Sequence, residues 1–259
     1  MDSSQVAKFV SKEGSLTWTM TTNGYKTYTL NLVSWLREVA KVPWKLCVIC
    51  CDRESWDFFR REGVPCVLYS EKMEGGQTSL SVFGSASFAR LNAKKLAILD
   101  WVEQNADELG IRKSLYLDGD IVVAADPWPT LHEIAKEKNC RLLFQCDCNH
   151  AEEHNTECKC ICSGCIYRNH EGGRPLSLYK FDAEQWKAAE YQDQPYIANR
   201  LKLLDLPFYT LPRPLFGNGG WQKGGAWKEK PWILLHYNYR VGNSKKSAMV
   251  SAGHWRISY

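Results

Sequence analysis

The chain of 259 residues contains no uninterrupted apolar run of 18 residues, which is about the length that a membrane-spanning helix needs. Its first residues lack the basic and apolar regions of a signal peptide, so we expect a cytoplasmic protein. A net charge of only +4 does not indicate a nucleic-acid partner, although it is compatible with a small anionic ligand. No glycine-rich phosphate loop follows the first predicted strand, and no nucleophile triad is recognisable.

The composition is typical of a soluble globular protein. Hydrophobic residues make up 44% of the chain and charged residues 24%. Because no repeat, linker or change in composition marks a boundary, residues 1–259 are predicted to form a single domain. Eleven Trp and twelve Tyr are many for this length. Aromatic faces suit sugar rings and bases, but most of these side chains are expected in the core.

The first part of the chain alternates strands with helices. The pattern is strand, helix, strand, helix, strand at residues 15–22, 28–40, 45–52, 55–62 and 65–69. This alternation predicts parallel strands joined by crossover helices. Ligands of such open sheets bind beyond the carboxyl ends of the strands. The polar residues that end predicted strands, at 22–24, Asp52 and 118–120, are therefore expected along one edge of the sheet.

An acidic pair interrupts the apolar run at 114–123. Asp118 and Asp120 share one face of a strand because they are two residues apart, and Gly119 between them permits a sharp turn. Burying both carboxylates without partners would be costly, so the strand must end there. Two interpretations remain open: a site for a hard divalent cation that carries a phosphate ligand, or a turn that simply caps the strand.

Other side chains also allow two interpretations. Lys95, near the apolar stripe of a predicted helix at 87–104, is either a basic group at its buried edge or a surface lysine. His236, at the end of a predicted strand at 230–236, is a ligand or a core histidine. The glycine-rich stretch 217–225 is predicted to be a loop, either a phosphate cradle or a plain turn. Another strand is predicted at 206–211.

A cysteine-rich segment spans residues 146–165. It holds six cysteines together with His150 and His154, residue types that bind structural zinc. Only Cys162 and Cys165 have the spacing of paired zinc ligands. The alternative is a loop of free thiols in a reducing compartment, where disulfides are rare, and the poor pair spacing favours it.

The order of motifs along residues 15–256 resembles the GT-A glycosyltransferases. Within that group it is similar to the plant xylosyl- and arabinosyltransferases of glycosyltransferase family 77 and to soluble glycosyltransferases of large algal DNA viruses (chloroviruses). The resemblance implies an α/β, Rossmann-like GT-A domain with a mostly parallel central sheet flanked by helices. The motifs are Leu-Asp-Gly-Asp at 117–120, Cys-Ser-Gly at 162–164, Gln-Asp-Gln at 192–194, Phe-Gly-Asn-Gly at 216–219, His-Tyr-Asn-Tyr at 236–239, Gly242 with the pair Lys245 and Lys246, and Gly-His-Trp at 253–255.

The resemblance also implies roles for single residues. Mn²⁺ or Mg²⁺ would be held by Asp118, Asp120 and His236. Asp193 and Gln194 would meet the donor sugar as catalytic residues, unless this stretch is only a helix cap. The donor-binding residues would be Thr21, Thr22, Asn23, Asp52, Lys95, Asp118, Gly119, Gly164, Gly242, Lys245 and Lys246, with either of the two lysines on the diphosphate.

The implied activity is a metal-dependent, retaining transfer of a sugar from a nucleoside diphosphate, such as a UDP-sugar (UDP-xylose or another), to a glycan or glycoprotein hydroxyl. Retention by front-side attack and by a covalent intermediate on Asp193 both remain open. A nucleotidyltransferase also uses paired aspartates and a metal, but it releases pyrophosphate instead of a nucleoside diphosphate. A non-catalytic, zinc-stapled binding module built on the cysteine-rich segment is the third possibility.

Overall fold

The computed structural model describes residues 1–69, 85–148, 159–173, 175–223, 225–228 and 231–259. Its strands are β1 (Ser15–Thr21), β2 (Leu46–Cys50), β3 (Cys66–Leu68), β4 (Lys113–Leu117), β5 (Ile121–Val123), β6 (Leu142–Cys146), β7 (Ile161–Asn169), β8 (Tyr209–Leu211), β9 (Phe216–Gly217) and β10 (Leu234–His236). Its helices are α1 (Ser3–Val6), α2 (Lys26–Ser34), α3 (Arg53–Arg61), α4 (Ala86–Asn105), α5 (Trp128–Glu137), α6 (Ala183–Ala188), α7 (Asp193–Leu203), α8 (Gly219–Lys223) and α9 (Gly242–Ser251).

The central sheet has seven strands in the order β3-β2-β1-β4-β7-β6-β8. Strands β3, β2, β1 and β4 run parallel, β7 is antiparallel to both of its neighbours, and β8 is parallel to β6. The prediction of parallel strands with crossover helices is therefore confirmed. As a result, the carboxyl ends of β1, β2 and β4 meet at one edge, where a ligand site is expected.

A second sheet has three strands in the order β5-β10-β9. Strand β10 is antiparallel to β5, and this pairing sets His236 opposite Ile121. The apolar run at 114–123 is therefore two strands in two sheets, separated by residues 118–120. Gly119 at this turn is packed tightly, because a Cβ there would lie 2.5 Å from Oγ1 of Thr29 on α2. The acidic pair thus lies at the junction of the two sheets.

Apolar side chains cover both faces of the central sheet. On one face, Trp18 and Tyr116 pack with Leu96 and Leu99 of α4. On the other face, β4 packs against a cluster that includes Leu131 of α5. Alternating side chains of one strand thus enter different cores, which is why these strands are apolar in sequence on both faces.

Several element boundaries differ from those predicted. The helix predicted at 28–40 is α2 followed by a π-helical turn at Trp35–Val39. The strand predicted at 206–211 is ordered as a strand only at Tyr209–Leu211, and that at 230–236 only at Leu234–His236. A prediction from β-propensity makes these strands too long, because a residue counts as strand only where a neighbouring strand pairs with it.

The prediction of a loop at 217–225 is wrong for residues 217–223, which form the end of β9, the connecting Asn218 and the short helix α8. A Cβ on Gly217 would lie 2.5 Å from Cε3 of Trp221, and one on Gly219 would lie 2.7 Å from the backbone nitrogen of Tyr239. These glycines therefore permit close packing of the second sheet.

The structure leaves some predictions outside the described residues. They include His150, His154 and Cys158 of the cysteine-rich segment. None of the described helices is long and apolar enough to cross a membrane.

A buried ion pair joins α4 to the far end of β7. Nε of Arg168 lies 2.8 Å from Oε1 of Glu103, and the side chains are 4% and 2% exposed. The second carboxylate oxygen accepts a hydrogen bond from the backbone nitrogen of Leu176 at 3.1 Å. The pair therefore ties the chain after β7 to the helix that also carries Lys95.

We expect Arg168→Met to lower the free energy of unfolding by about 3–5 kcal/mol, because it leaves the Glu103 carboxylate buried without a counter-charge. The double variant Glu103→Leu/Arg168→Met should recover most of this loss, since removing both charges avoids the uncompensated burial. Urea unfolding of the single and double variants measures both. Equal destabilisation by the two variants would contradict the argument.

Candidate active site

A cavity of about 560 Å³ opens at the junction of the two sheets. It is lined by the end of β1 with Thr21 and Thr22, by residues 118–120 after β4, by residues 162–164 on β7 and by His236 at the end of β10. Strand ends from both sheets thus converge on one cavity. The alternation of strands and helices predicts this for Thr22 and for residues 118–120. The convergence is a property of the topology, because β1 and β4 end here, the antiparallel β7 begins here, and β10 of the second sheet ends here.

Asp118, Asp120 and His236 lie together in the cavity. Nε2 of His236 is 3.2 Å from Oδ1 of Asp120 and 3.7 Å from Oδ2 of Asp118. One ligand atom from each residue lies within 4.8 Å of the others, and no other trio of His, Cys, Asp or Glu in the described ranges is as close. Two carboxylates and one imidazole on one side of an open cavity fit a hard divalent cation with room for further oxygen ligands.

Gly164 makes this approach possible. A Cβ at Gly164 would overlap Cε1 of His236 and lie 2.8 Å from Oδ2 of Asp118. Any side chain here would therefore displace two members of the trio. The resemblance assigns Gly164 to the donor, and the structure adds that its missing side chain leaves room for His236.

Asp120 is almost completely buried, and Lys245 of α9 lies against it. Burial by itself would raise the pKa of Asp120, but Lys245 and His236 outweigh it and hold that pKa well below its usual range. Asp120 is therefore a carboxylate at neutral pH. The next residue, Lys246, is half-buried and does not line the cavity, and its Nζ donates to the carbonyl of Tyr259 at 2.5 Å. The rotation of α9 thus directs Lys245 into the cavity and Lys246 away from it.

Lys95 is buried between two carboxylates. Its Nζ lies 2.9 Å from Oδ2 of Asp193 and 3.2 Å from Oδ1 of Asp118, and it donates to Oγ of Ser163 at 3.3 Å. Burial would lower the pKa of Lys95, but the two carboxylates outweigh this effect and raise it. Burial would raise the pKa of Asp193, but the charge of Lys95 outweighs this effect and lowers it. The interpretation of Lys95 as a surface lysine is therefore wrong.

Gln194 and Asp147 also line the cavity and are hydrogen-bonded to each other. Gln194 accepts a hydrogen bond from the backbone nitrogen of Ser163 at 3.2 Å and donates to Oδ2 of Asp147 at 2.8 Å. Asn238 donates to Oδ1 of the same carboxylate at 2.9 Å. Burial raises the pKa of Asp147, and the hydrogen bond from Gln194 opposes the shift.

Sequence reasoning missed Asp147 and Asn238 as site residues. One signal was available for Asp147, since it directly follows β6 as Asp118 follows β4. Tyr25, Tyr28 and Tyr116 also line the cavity, and none of them was predicted as a site residue. Hydroxyls of Tyr25 and Tyr116 contact Lys245 at 2.6 Å and Asp118 at 2.5 Å, respectively.

The predicted nucleotide-binding residues separate into two groups. Thr21, Thr22 and Gly242 line the cavity. Asn23 and Asp52, like Lys246, are not among its lining residues. Asp52 instead caps α3 through the backbone nitrogen of Ser55 and accepts from the backbone nitrogen of Asn23, both at 2.8 Å. Its contact in the structure is therefore with the loop that follows β1.

Cys162 and Cys165, in the segment at 146–165, are free thiols. Cys146, Cys162 and Cys165 are buried in the sheet, whereas Cys160 is exposed. Burial raises the pKa of both Cys162 and Cys165. Within the described part of the segment, no cysteine belongs to a trio of side chains close enough to hold a metal.

The sequence profile of the nucleotide-diphospho-sugar transferases matches residues 44–249. A search of curated proteins found no match.

Three solved structures are similar in fold. GlyE, a glycosyltransferase of Streptococcus pneumoniae TIGR4, is 15% identical with a TM-score of 0.58, and the match covers 96% of this chain but 61% of GlyE. The galactosyltransferase LgtC, solved with donor and acceptor sugar analogues, is 14% identical with a TM-score of 0.55, covering 94% and 97%. Mouse xyloside xylosyltransferase 1 is 12% identical with a TM-score of 0.50, covering 88% and 98%.

Proposed function

This chain belongs to the nucleotide-diphospho-sugar transferases, a family of glycosyltransferases, and we propose that it moves a sugar from a nucleoside diphosphate to a hydroxyl with the help of a divalent metal. One observation carries the metal requirement: Asp118, Asp120 and His236 meet at the cavity with ligand atoms within 4.8 Å of one another. Mn²⁺ or Mg²⁺ bound there would stabilise the charge that develops on the leaving diphosphate.

The diphosphate would lie between the acidic pair and α9. Lys245 is directed into the cavity and would add a second positive charge there. Gly242 begins α9, and backbone N–H groups at a helix N-terminus favour phosphate. Thr21 and Thr22 at the end of β1 would line the nucleoside, beside the loop that Asp52 holds through Asn23.

The donor sugar would lie against Lys95, Gly119, Gly164, Asp193 and Gln194. Oδ2 of Asp193 already contacts Nζ of Lys95 and accepts from Oγ of Ser163 at 2.8 Å. A carboxylate whose pKa is lowered in this way is a weaker nucleophile, which supports front-side attack with Asp193 orienting the sugar. The product would then retain the anomeric configuration of the donor.

A UDP-sugar, UDP-xylose among the candidates, is the proposed donor, and a glycan or glycoprotein hydroxyl the proposed acceptor. The cytoplasm is the proposed compartment, where thiols such as those of Cys162 and Cys165 would stay reduced. Neither competing function is favoured. A nucleotidyltransferase would lack its basic glycine-rich loop after β1, and the described cysteines supply no zinc site.

Donor hydrolysis without acceptor tests the proposal. The protein is incubated with Mn²⁺ and a panel of UDP-sugars, and the products are separated by chromatography. We expect slow release of UDP and free sugar from one or a few donors, ended by a chelator and restored by Mn²⁺. Release of pyrophosphate, or consumption of no donor, would contradict the proposed reaction. NMR of the sugar product reports whether the configuration is retained.

His236→Ala should weaken Mn²⁺ binding by at least about 10-fold, and excess Mn²⁺ should partly restore activity, because two of three protein ligands remain. Calorimetric titration with Mn²⁺ measures the first effect. His254→Gln, at another buried imidazole, is the matched control and should leave Mn²⁺ affinity unchanged. If His236→Ala lowered only the melting temperature, His236 would be a core histidine.

A further inference from the structure

Gln145 lies on β6 and is completely buried behind His236. Its Nε2 donates to the backbone carbonyls of Gly217 at 2.7 Å and Phe216 at 3.3 Å. Carbonyl oxygens only accept hydrogen bonds, so this end of the amide must be the nitrogen. The two carbonyls of β9 therefore determine the orientation of the Gln145 amide.

The other end of the amide faces the imidazole. Oε1 of Gln145 lies 2.9 Å from Nδ1 of His236. Since Oε1 can only accept, Nδ1 must carry the proton of the neutral ring. Sγ of Cys162, at 3.6 Å from Nδ1, is only a weak partner. Nε2, which lies 3.2 Å from Oδ1 of Asp120 and 3.7 Å from Oδ2 of Asp118, is then the nitrogen through which the neutral ring would bind a cation held by these carboxylates.

We propose that Gln145 is a positioning residue that holds His236 in the Nδ1–H tautomer, so that Nε2 is available as a metal ligand. The inference deepens the proposed function and rests on the metal site of that proposal. Without Gln145, the ring gains a competing arrangement in which Nε2–H donates to Oδ1 of Asp120, 3.2 Å away. A cation would then have to displace that proton before His236 could bind it.

The tautomer can be observed directly by NMR of protein labelled with ¹⁵N-histidine. His236→Gln assigns the signal, and diamagnetic Mg²⁺ is added as the metal. In the wild-type protein with bound Mg²⁺, we expect the His236 signals of a ring whose Nδ1 carries the proton. An Nε2–H ring in the wild-type protein would overturn the inference by itself.

Two variants then separate positioning from packing. Gln145→Leu should shift His236 towards the Nε2–H form and weaken Mn²⁺ binding about 10- to 100-fold, measured by electron paramagnetic resonance of free Mn²⁺. Gln145→Glu keeps an oxygen against Nδ1 and, with its other oxygen protonated so that it donates to the carbonyl of Gly217, should keep the tautomer and most of the affinity. Ser114→Ala is the matched control, since it removes the partner of another buried imidazole, Nε2 of His170 at 2.9 Å.

Each outcome decides a different point. Mn²⁺ affinity of Gln145→Leu within twofold of wild type, with the tautomer unchanged, would overturn the role of Gln145 while leaving the metal site intact. Wild-type protein that binds no Mn²⁺ would overturn the metal site itself, and the inference with it. If Gln145→Leu does not fold, the wild-type spectrum and the Gln145→Glu affinity still test the inference, because an Nε2–H ring or a 10-fold loss in Gln145→Glu contradicts it.

Discussion

Asp120→Asn is expected to lower kcat/KM for the donor by about 10³-fold, the upper range for loss of one preorganised electrostatic group. Asp120 is the member of the trio that contacts both His236 and Lys245. Its pKa is held low by these two neighbours against the effect of burial, so the variant removes a full charge at neutral pH. Steady-state kinetics with saturating Mn²⁺ and the best UDP-sugar of the panel measure the effect.

Asp120→Asn should also destabilise the fold, because Lys245 stays buried without its counter-charge. The double variant Asp120→Asn/Lys245→Met is expected to regain stability but no activity, which separates chemistry from folding. Asp126→Asn is a matched carboxylate control: Oδ1 accepts from Trp44 at 3.0 Å outside the cavity, and an amide oxygen can do the same. Turnover of Asp120→Asn close to that of Asp126→Asn would show that the metal assignment is wrong.

Lys95→Met is expected to lower kcat by about 10²–10³-fold and to change its pH dependence. Lys95 is the cation that keeps Asp193 ionised against burial. Without Lys95, burial dominates and the pKa of Asp193 rises. Activity that needs the carboxylate is then lost at a higher pH as the solution is acidified. The acidic limb of the pH profile of kcat/KM should therefore move to higher pH, and a profile measured from pH 4 to 9 tests this.

Lys94→Met is the matched control for Lys95, because Nζ of Lys94 donates to the carbonyl of Cys51 and the residue does not line the cavity. Its activity and pH profile should match the wild type. Lys95→Arg keeps the charge and should leave the acidic limb in place. If the acidic limb of the Lys95→Met profile did not move, Lys95 would not control the ionisation of Asp193 in the reaction.

Much of the sheet could be predicted because its signals are local. Apolar runs ending in polar residues mark β1, β2 and β4, and the intervening helices require parallel pairing. The interruption at Asp118 and Asp120 predicts a strand end for the same reason, since buried carboxylates need partners. Boundaries such as that of β8 were less predictable, because they depend on which neighbour a strand pairs with.

The site was predictable only in part. Lys245 and Lys246 are equivalent in sequence, and α9 carries no clear apolar stripe to show which one faces inwards. The ambiguity of Lys95 has the same origin, because a lysine beside an apolar stripe can either extend to water or meet a buried carboxylate. Asp147 and Gln145 belong to β6 and its end, whose position depends on the antiparallel pairing with β7.

The amino-acid sequence by itself determined the order of strands and helices, the strand end that carries Asp118 and Asp120, and the absence of a phosphate loop after β1. These follow from hydrophobic periodicity and from the cost of burying charge, which act within a few residues. The tertiary structure alone decided which charges pair: Lys95 with Asp118 and Asp193, and Lys245 with Asp120. These partners come from distant parts of the chain, and only the packed fold brings them within hydrogen-bonding distance.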